Sequence, residues 1–158
     1  MVEHVLAHLP QKPVLNTLEL YAGAGLFSLF LAEHSRELIA IESSPSACYD
    51  FANNLDSYDN VRLYEGPVEQ VLPALESELP PMDLVLLDPP RAGLHPKARE
   101  SLEKLSPEHI IYISCDPSTL ARDLKHLCAA AYKLEDLHLF DMFPQTYHLE
   151  TTAILQRG

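Results

Sequence analysis

The chain has 158 residues, 47% of them hydrophobic and 22% charged, which suits one globular domain and excludes disorder on composition. Lys and Arg number 11 against 23 Asp and Glu, a formal charge of -12 that excludes a generally basic nucleic-acid coat. No apolar run reaches membrane-spanning length, Met1–His4 lacks the basic-then-apolar pattern of a leader, and the three cysteines (Cys48, Cys115, Cys128) are odd in number and widely spaced, so a reduced, cytoplasmic protein is expected.

In chain order, Val2–Leu9 is predicted as a helix and Thr17–Tyr21 as a strand. Leu26–Glu33 has helical period, and Leu38–Ile41 is an apolar strand ending at Glu42. Ser44 as N-cap and Pro45 at the first helical position open a helix to about Leu55. Val61–Tyr64 is a strand and Val68–Leu75 a short helix. Asp83–Leu87 reads as a buried strand closed by Asp88-Pro89-Pro90, and Pro96 opens a helix to about Leu105. Ile110–Ile113 is the next strand, and Asp116-Pro117 starts a helix to about Ala130. Tyr132–Phe140 and Thr151–Leu155 are two final strands with no room for a helix between them. Strands alternating with helices predict an α/β chain with a mainly parallel sheet and a C-terminal antiparallel hairpin.

Open α/β sheets bind ligands outside the carboxyl ends of their strands, and the unusual residues of this sequence fall on that edge. Gly23 and Gly25 follow the first strand and permit a tight turn before a helix. The dinucleotide fingerprint asks for a third glycine at position 28, which is Ser28, and this weakens a dinucleotide reading. Glu42 lies where an acidic residue takes ribose hydroxyls. Asp88-Pro89-Pro90 places a carboxylate beside a rigid wall that lacks two backbone donors. Cys115 sits just before a helix N-terminus, where the dipole favours thiolate, whereas Cys48 and Cys128 lie inside helices and read as structural. Glu150, beside an apolar strand, has the chemistry of a general base. The eight histidines show no ligand spacing joined to carboxylates, so no metal site is expected. Residues 91–125 carry six basic and five acidic side chains, against three and 14 in residues 1–90.

Four stretches, LELYAGAGLFSLFLAE, DPPRAG, SCDPSTLARDL and DMFPQTYHLE, together resemble the catalytic domain of the S-adenosylmethionine-dependent RNA uracil-5-methyltransferases. The resemblance covers nearly the whole chain and implies a Rossmann-like class I methyltransferase fold in a single domain, residues 1–158. It implies Cys115 as nucleophile, with Asp116 where the family usually has Asn, and Glu150 as proton acceptor. It implies S-adenosylmethionine binding at Tyr21, Gly23, Gly25, Glu42 and Asp88, and at Leu26, which stands where Asn is common. The partner implied is tRNA or rRNA. Arg91 and Arg122, with Lys97, Arg99 and Lys125, are candidates for phosphate contacts. The family's N-terminal RNA-binding domain and the cysteine motif for an iron–sulfur cluster are not in this sequence. Two rival readings need neither Cys115 nor Glu150: an amino-group methyltransferase using Asp-Pro-Pro, and a cofactor-binding scaffold without catalysis.

Overall fold

Two-residue alternation along the central strands sets the architecture. In β4 (Leu84–Leu87) all four side chains are buried. Leu84 and Leu86 join one apolar cluster, Val85 and Leu87 the other. The same division splits β1 (Leu15–Leu20), β2 (Ser35–Glu42) and β5 (His109–Ser114), because successive Cβ atoms point to opposite faces. A strand buried on both faces needs helices on both faces. Residues of α1 (Val2–Ala7), α2 (Ser28–Ala32) and α3 (Pro45–Asn54) pack with Leu84 and Leu86. Residues of α4 (Val68–Leu75), α5 (Pro96–Leu105) and α6 (Pro117–Ala130) pack with Val85 and Leu87.

The computed structural model describes residues 1–12, 14–141 and 149–158. With β3 (Val61–Glu65), β6 (Tyr132–Phe140) and β7 (Glu150–Arg157) the sheet order is β3-β2-β1-β4-β5-β7-β6. β1 to β5 pair in parallel, and β7 runs antiparallel between β5 and β6. Since β5 and β6 are both antiparallel to β7, β6 ends on the same edge as β1 to β5. The segment between β6 and β7 therefore starts and finishes beside the carboxyl ends of the parallel strands, and this edge gathers the chemistry.

The expected caps are in place. Ser44 accepts from the Ala47 amide at 3.4 Å, and Asp116 accepts from the Ser118 and Thr119 amides at 2.9 and 3.0 Å. Differences are local. β2 begins at Ser35, three residues before the apolar run. α2 begins only at Ser28, because the chain ahead of it turns through Gly25 at φ +87. A Cβ at Gly25 would stand 2.6 Å from Leu55 Cδ1 and 3.0 Å from Phe51 Cδ2. Gly25 thus lets the turn press against α3.

Glu19 of β1 is 1% exposed, and the Ser28 hydroxyl donates to its carboxylate. Burial, offset in part by Ser28 and reinforced by the charge of Asp88, pushes its pKa up to about 8. Folded Glu19 therefore keeps a proton that the unfolded chain releases near 4.5. Stability is fully present below that value and falls as pH rises toward about 8. Glu19→Gln, which keeps a neutral acceptor for Ser28, is expected to flatten this dependence in denaturant titrations across the range. Equal pH slopes for variant and wild type would refute it.

Candidate active site

The ends of β1, β2 and β4 supply one cleft of about 550 Å3, lined by Tyr21, Glu42, Ser43, Pro67, Val68, Glu69, Asp88 and Pro90. An adjoining cavity of about 450 Å3 shares Tyr21, Glu69 and Pro90 and extends past Leu94 to Arg99 and Arg122. Tyr21 stands between them with φ +62, a left-handed conformation that non-glycine residues rarely adopt and that concentrates at functional sites. Burial, and then the charge of Glu69, push its phenol up to about 12, so it remains a neutral donor.

Glu42, the last residue of β2, is 9% exposed. Its Oε2 accepts from the Gly23 amide at 2.8 Å, and its Oε1 from the Ser43 and Ser44 amides, both at 2.7 Å. The Ser43 hydroxyl adds a longer bond to Oε1 at 3.4 Å, so the acceptor capacity that remains lies on Oε2, which takes only the Gly23 amide. Asp88 follows β4 and keeps one side toward solvent. Burial of the remainder, and then the charge of Glu150, raise its pKa to about 6. The cleft lining carries three carboxyl groups and no basic side chain among the described residues.

Beyond Asp88 the chain is bolted to α6. Gly93 closes a turn on the Pro90 carbonyl at 2.8 Å with φ +77. A Cβ there would lie 2.4 Å from Asp123 Oδ2. Asp123 is fully buried and accepts from the Leu94 amide at 2.8 Å and the Tyr112 hydroxyl at 2.7 Å. Arg122 donates to Asp123 at 3.0 Å and to the Ala92 carbonyl at 2.8 Å.

Cys115 continues β5 and is half-buried. Ser114 Oγ accepts from the Asp116 amide at 3.1 Å and fixes the bend between strand and helix. The amides of Thr119 and Ser118 hold the Asp116 carboxyl below the usual range, with Arg91 adding to the effect. Antiparallel pairing of β5 with β7 ends at Ser114 opposite Thr151. One residue further on each side stand Cys115 and Glu150. Each of the two expected catalytic residues thus immediately adjoins the last β5–β7 pair at the sheet edge. Of the DMFPQTYHLE stretch, residues 142–148 lie outside the described residues.

The expected site residues divide as follows. Tyr21, Glu42 and Asp88 line one cleft, and Gly23 joins them through its amide. Gly25 serves packing against α3. Leu26 does not line the cleft and is 55% exposed. Arg91 is exposed and lines neither cavity, and Arg122 lines the adjoining cavity while tied to Asp123. Cys48 is buried as expected, but Cys128 lies on the solvent face of α6 and is not a core residue. Sequence reasoning missed Glu19, Glu69 and Asp123. Asp123 had a signal, since it stands between Leu120 and Leu127 on the buried stripe of α6.

Comparison with known proteins adds to this geometry. The sequence profile of the family described as tRNA (uracil-5-)-methyltransferase matches residues 1–158. An uncharacterized RNA methyltransferase of Streptomyces avermitilis is 42% identical over 151 residues, 94% of this chain and 34% of that protein. The 23S rRNA (uracil(1939)-C(5))-methyltransferase RlmD of Shewanella sediminis is 39% identical over 158 residues, 99% of this chain and 35% of that protein. The crystal structure of Pyrococcus abyssi tRNA (uracil-54, C5)-methyltransferase in complex with S-adenosyl-L-homocysteine superposes with a TM-score of 0.81 at 30% identity. That match covers 98% of this chain and 36% of the archaeal one. The chain thus spans about a third of the length of these relatives.

Proposed function

The chain belongs to the tRNA (uracil-5-)-methyltransferase family, and from that premise we propose that it transfers a methyl group from S-adenosylmethionine to carbon 5 of a uridine in tRNA or rRNA. The observation that carries this reading is the β5–β7 register, which sets Cys115 and Glu150 one residue beyond the Ser114–Thr151 pair. Neither rival reading has a use for that juxtaposition.

The residues present fit the cofactor. It carries a sulfonium and an ammonium against one carboxylate, a net positive charge, and the cleft offers Glu42, Glu69 and Asp88 without a counterbalancing base among the described residues. Glu42, oriented by three amides and the Ser43 hydroxyl, retains acceptor capacity on Oε2 for a ribose hydroxyl. Pro67 and Val68 give an apolar wall. S-adenosylmethionine, when bound, supplies an electrophilic methyl group.

The chain's own residues then supply what uracil lacks. Carbon 5 is a poor nucleophile, and addition of Cys115 Sγ to carbon 6 would convert the ring to an enolate whose carbon 5 could take the methyl as its bond to the sulfonium sulfur breaks and S-adenosylhomocysteine leaves. Glu150 accepts the carbon-5 proton, the bond between Sγ and carbon 6 breaks, and the aromatic ring returns with Cys115 free. The target base must leave its stack to reach these groups. The exposed Arg91 and Arg122 in the adjoining cavity contact RNA phosphates in this reading.

Glu42→Ala removes a charge-assisted hydrogen bond to the ribose and the anchor of three amides. Cofactor affinity measured by calorimetry is expected to fall about 10- to 150-fold, from a loss of about 1.5–3 kcal/mol. An unchanged affinity would displace the cofactor from this cleft.

The function itself is tested by mass spectrometry of tRNA and rRNA incubated with the protein and methyl-labelled S-adenosylmethionine. The expected product is 5-methyluridine, absent with Cys115→Ala. Label on an exocyclic amine, retained in Cys115→Ala, would support the amino-group reading instead.

A further inference from the structure

We propose that His4, Asp136 and His138 form a site for a divalent transition metal, zinc being the ion of fitting chemistry, which fastens α1 to the edge strand β6. One donor atom from each lies within 4.8 Å of the other two. His4 Nε2 and Asp136 Oδ2 are 3.2 Å apart. Zinc bonds of about 2.0–2.1 Å at tetrahedral angles set neighbouring donors about 3.3 Å apart, so this pair already has the required separation. Both atoms are screened from solvent; they pair with each other as an ion pair when His4 is protonated, and neither has a hydrogen bond to any other described residue.

The surroundings are those of a built ligand set. The register of β6 shifts between Leu134 and Asp136, and such bulges re-aim the side chains that follow. Asp136, His138 and Phe140 then alternate on one face of the strand, while Leu137 and Leu139 line the groove against α6. His8 donates a ring N–H to the His4 carbonyl at 2.8 Å, and its ring lies 4.4 Å from that of His4. Phe140 stands 5.4 Å from the His4 ring and 4.6 Å from the His138 ring, an apolar wall around the donors. His138 is exposed on the edge strand and free to close the set, leaving the fourth position to water. A six-residue helix is too short to hold itself, so a metal at this cluster would add to the apolar packing through Val5 that keeps α1 in place.

The test is calorimetry of the untagged chain with zinc chloride, repeated on His4→Ala, His138→Ala and Cys128→Ser. One zinc per chain is expected, with affinity at least about tenfold weaker in each histidine variant and unchanged in Cys128→Ser. His138 is exposed, so its variant folds, which a melting curve verifies. Zinc should raise the melting temperature of wild type but not of His138→Ala. The cobalt(II) form should show a visible ligand-field band without sulfur charge transfer. Absence of stoichiometric binding, binding retained in both histidine variants, or binding lost in Cys128→Ser would overturn the proposal.

Discussion

Replacing Glu150 with glutamine is expected to trap the chain on its RNA as a covalent, methylated adduct that survives denaturation. Once Cys115 has added to carbon 6 and carbon 5 has taken the methyl, that carbon is saturated and still bears its proton. Elimination needs a base, and the amide of glutamine cannot accept the proton at neutral pH. Attack and methyl transfer proceed, and release stops. Turnover should therefore fall by the factor expected of a lost general base, about 100- to 10,000-fold. Cys115→Ala should form no adduct. The same variant carries a readout that needs no RNA. The charge of Glu150 is the second cause, after burial, of the raised pKa of Asp88. Removing that charge should lower the Asp88 pKa from about 6, seen by carbon-detected NMR of the carboxyl group. Normal turnover by Glu150→Gln without adduct would reduce Glu150 to a loop carboxylate and break the mechanism at its second step.

Asp123→Ala is expected to destabilise the protein by about 3–5 kcal/mol. The side chain is fully buried and is the acceptor for the Tyr112 hydroxyl and the Leu94 amide. Without it both donors are left inside the protein unpaired. Arg122 loses its closest anion but still reaches solvent, so the cost comes chiefly from Tyr112 and Leu94. Burial, and then the hydrogen bond and charge of Asp123, push the Tyr112 phenol upward, and the variant should lose the Asp123 part of this shift while keeping the part due to burial. For a chain of this size the melting temperature should drop by about 6–20 °C. The effect also reaches the site. Asp123 and Arg122 hold residues 92–94, the continuation of Asp88-Pro89-Pro90, against the helix that follows Cys115. Freed from α6, that loop should loosen the cleft proposed for the cofactor, and cofactor affinity should fall with stability. A melting point within a degree of wild type would show that the network is dispensable.

Much of the fold was legible because its signals are short-range. Ser44-Pro45 and Asp116-Pro117 marked helix starts through backbone geometry and capping, and both caps form. Continuous apolar runs such as Leu84–Leu87 marked strands buried on both faces. Glu42, Asp88 and Cys115 could be placed on one edge because each ends a parallel strand. Ser28 shows where local reading stopped. It stood out only as a missing glycine, yet its hydroxyl serves the buried carboxyl of Glu19. The polar side chains of Thr17 and Glu19 in a central strand were the available sign that a carboxyl is buried there.

Composition, period and capping determined the elements, their order and the edge on which the polar residues collect, since each depends on residues a few positions apart. Register, and the meeting of distant side chains, were decided by tertiary structure alone. Cys115 and Glu150 each come to adjoin the Ser114–Thr151 pair because β7 inserts between β5 and β6. Asp123 matters because a loop some 30 residues earlier folds back onto its helix. His4 meets Asp136 and His138 because α1 lies against the last strand pair, so no spacing along the chain could disclose the cluster. Such contacts are set by strand order and by the closing of long loops, whose entropic cost is met only by the packing of the whole domain.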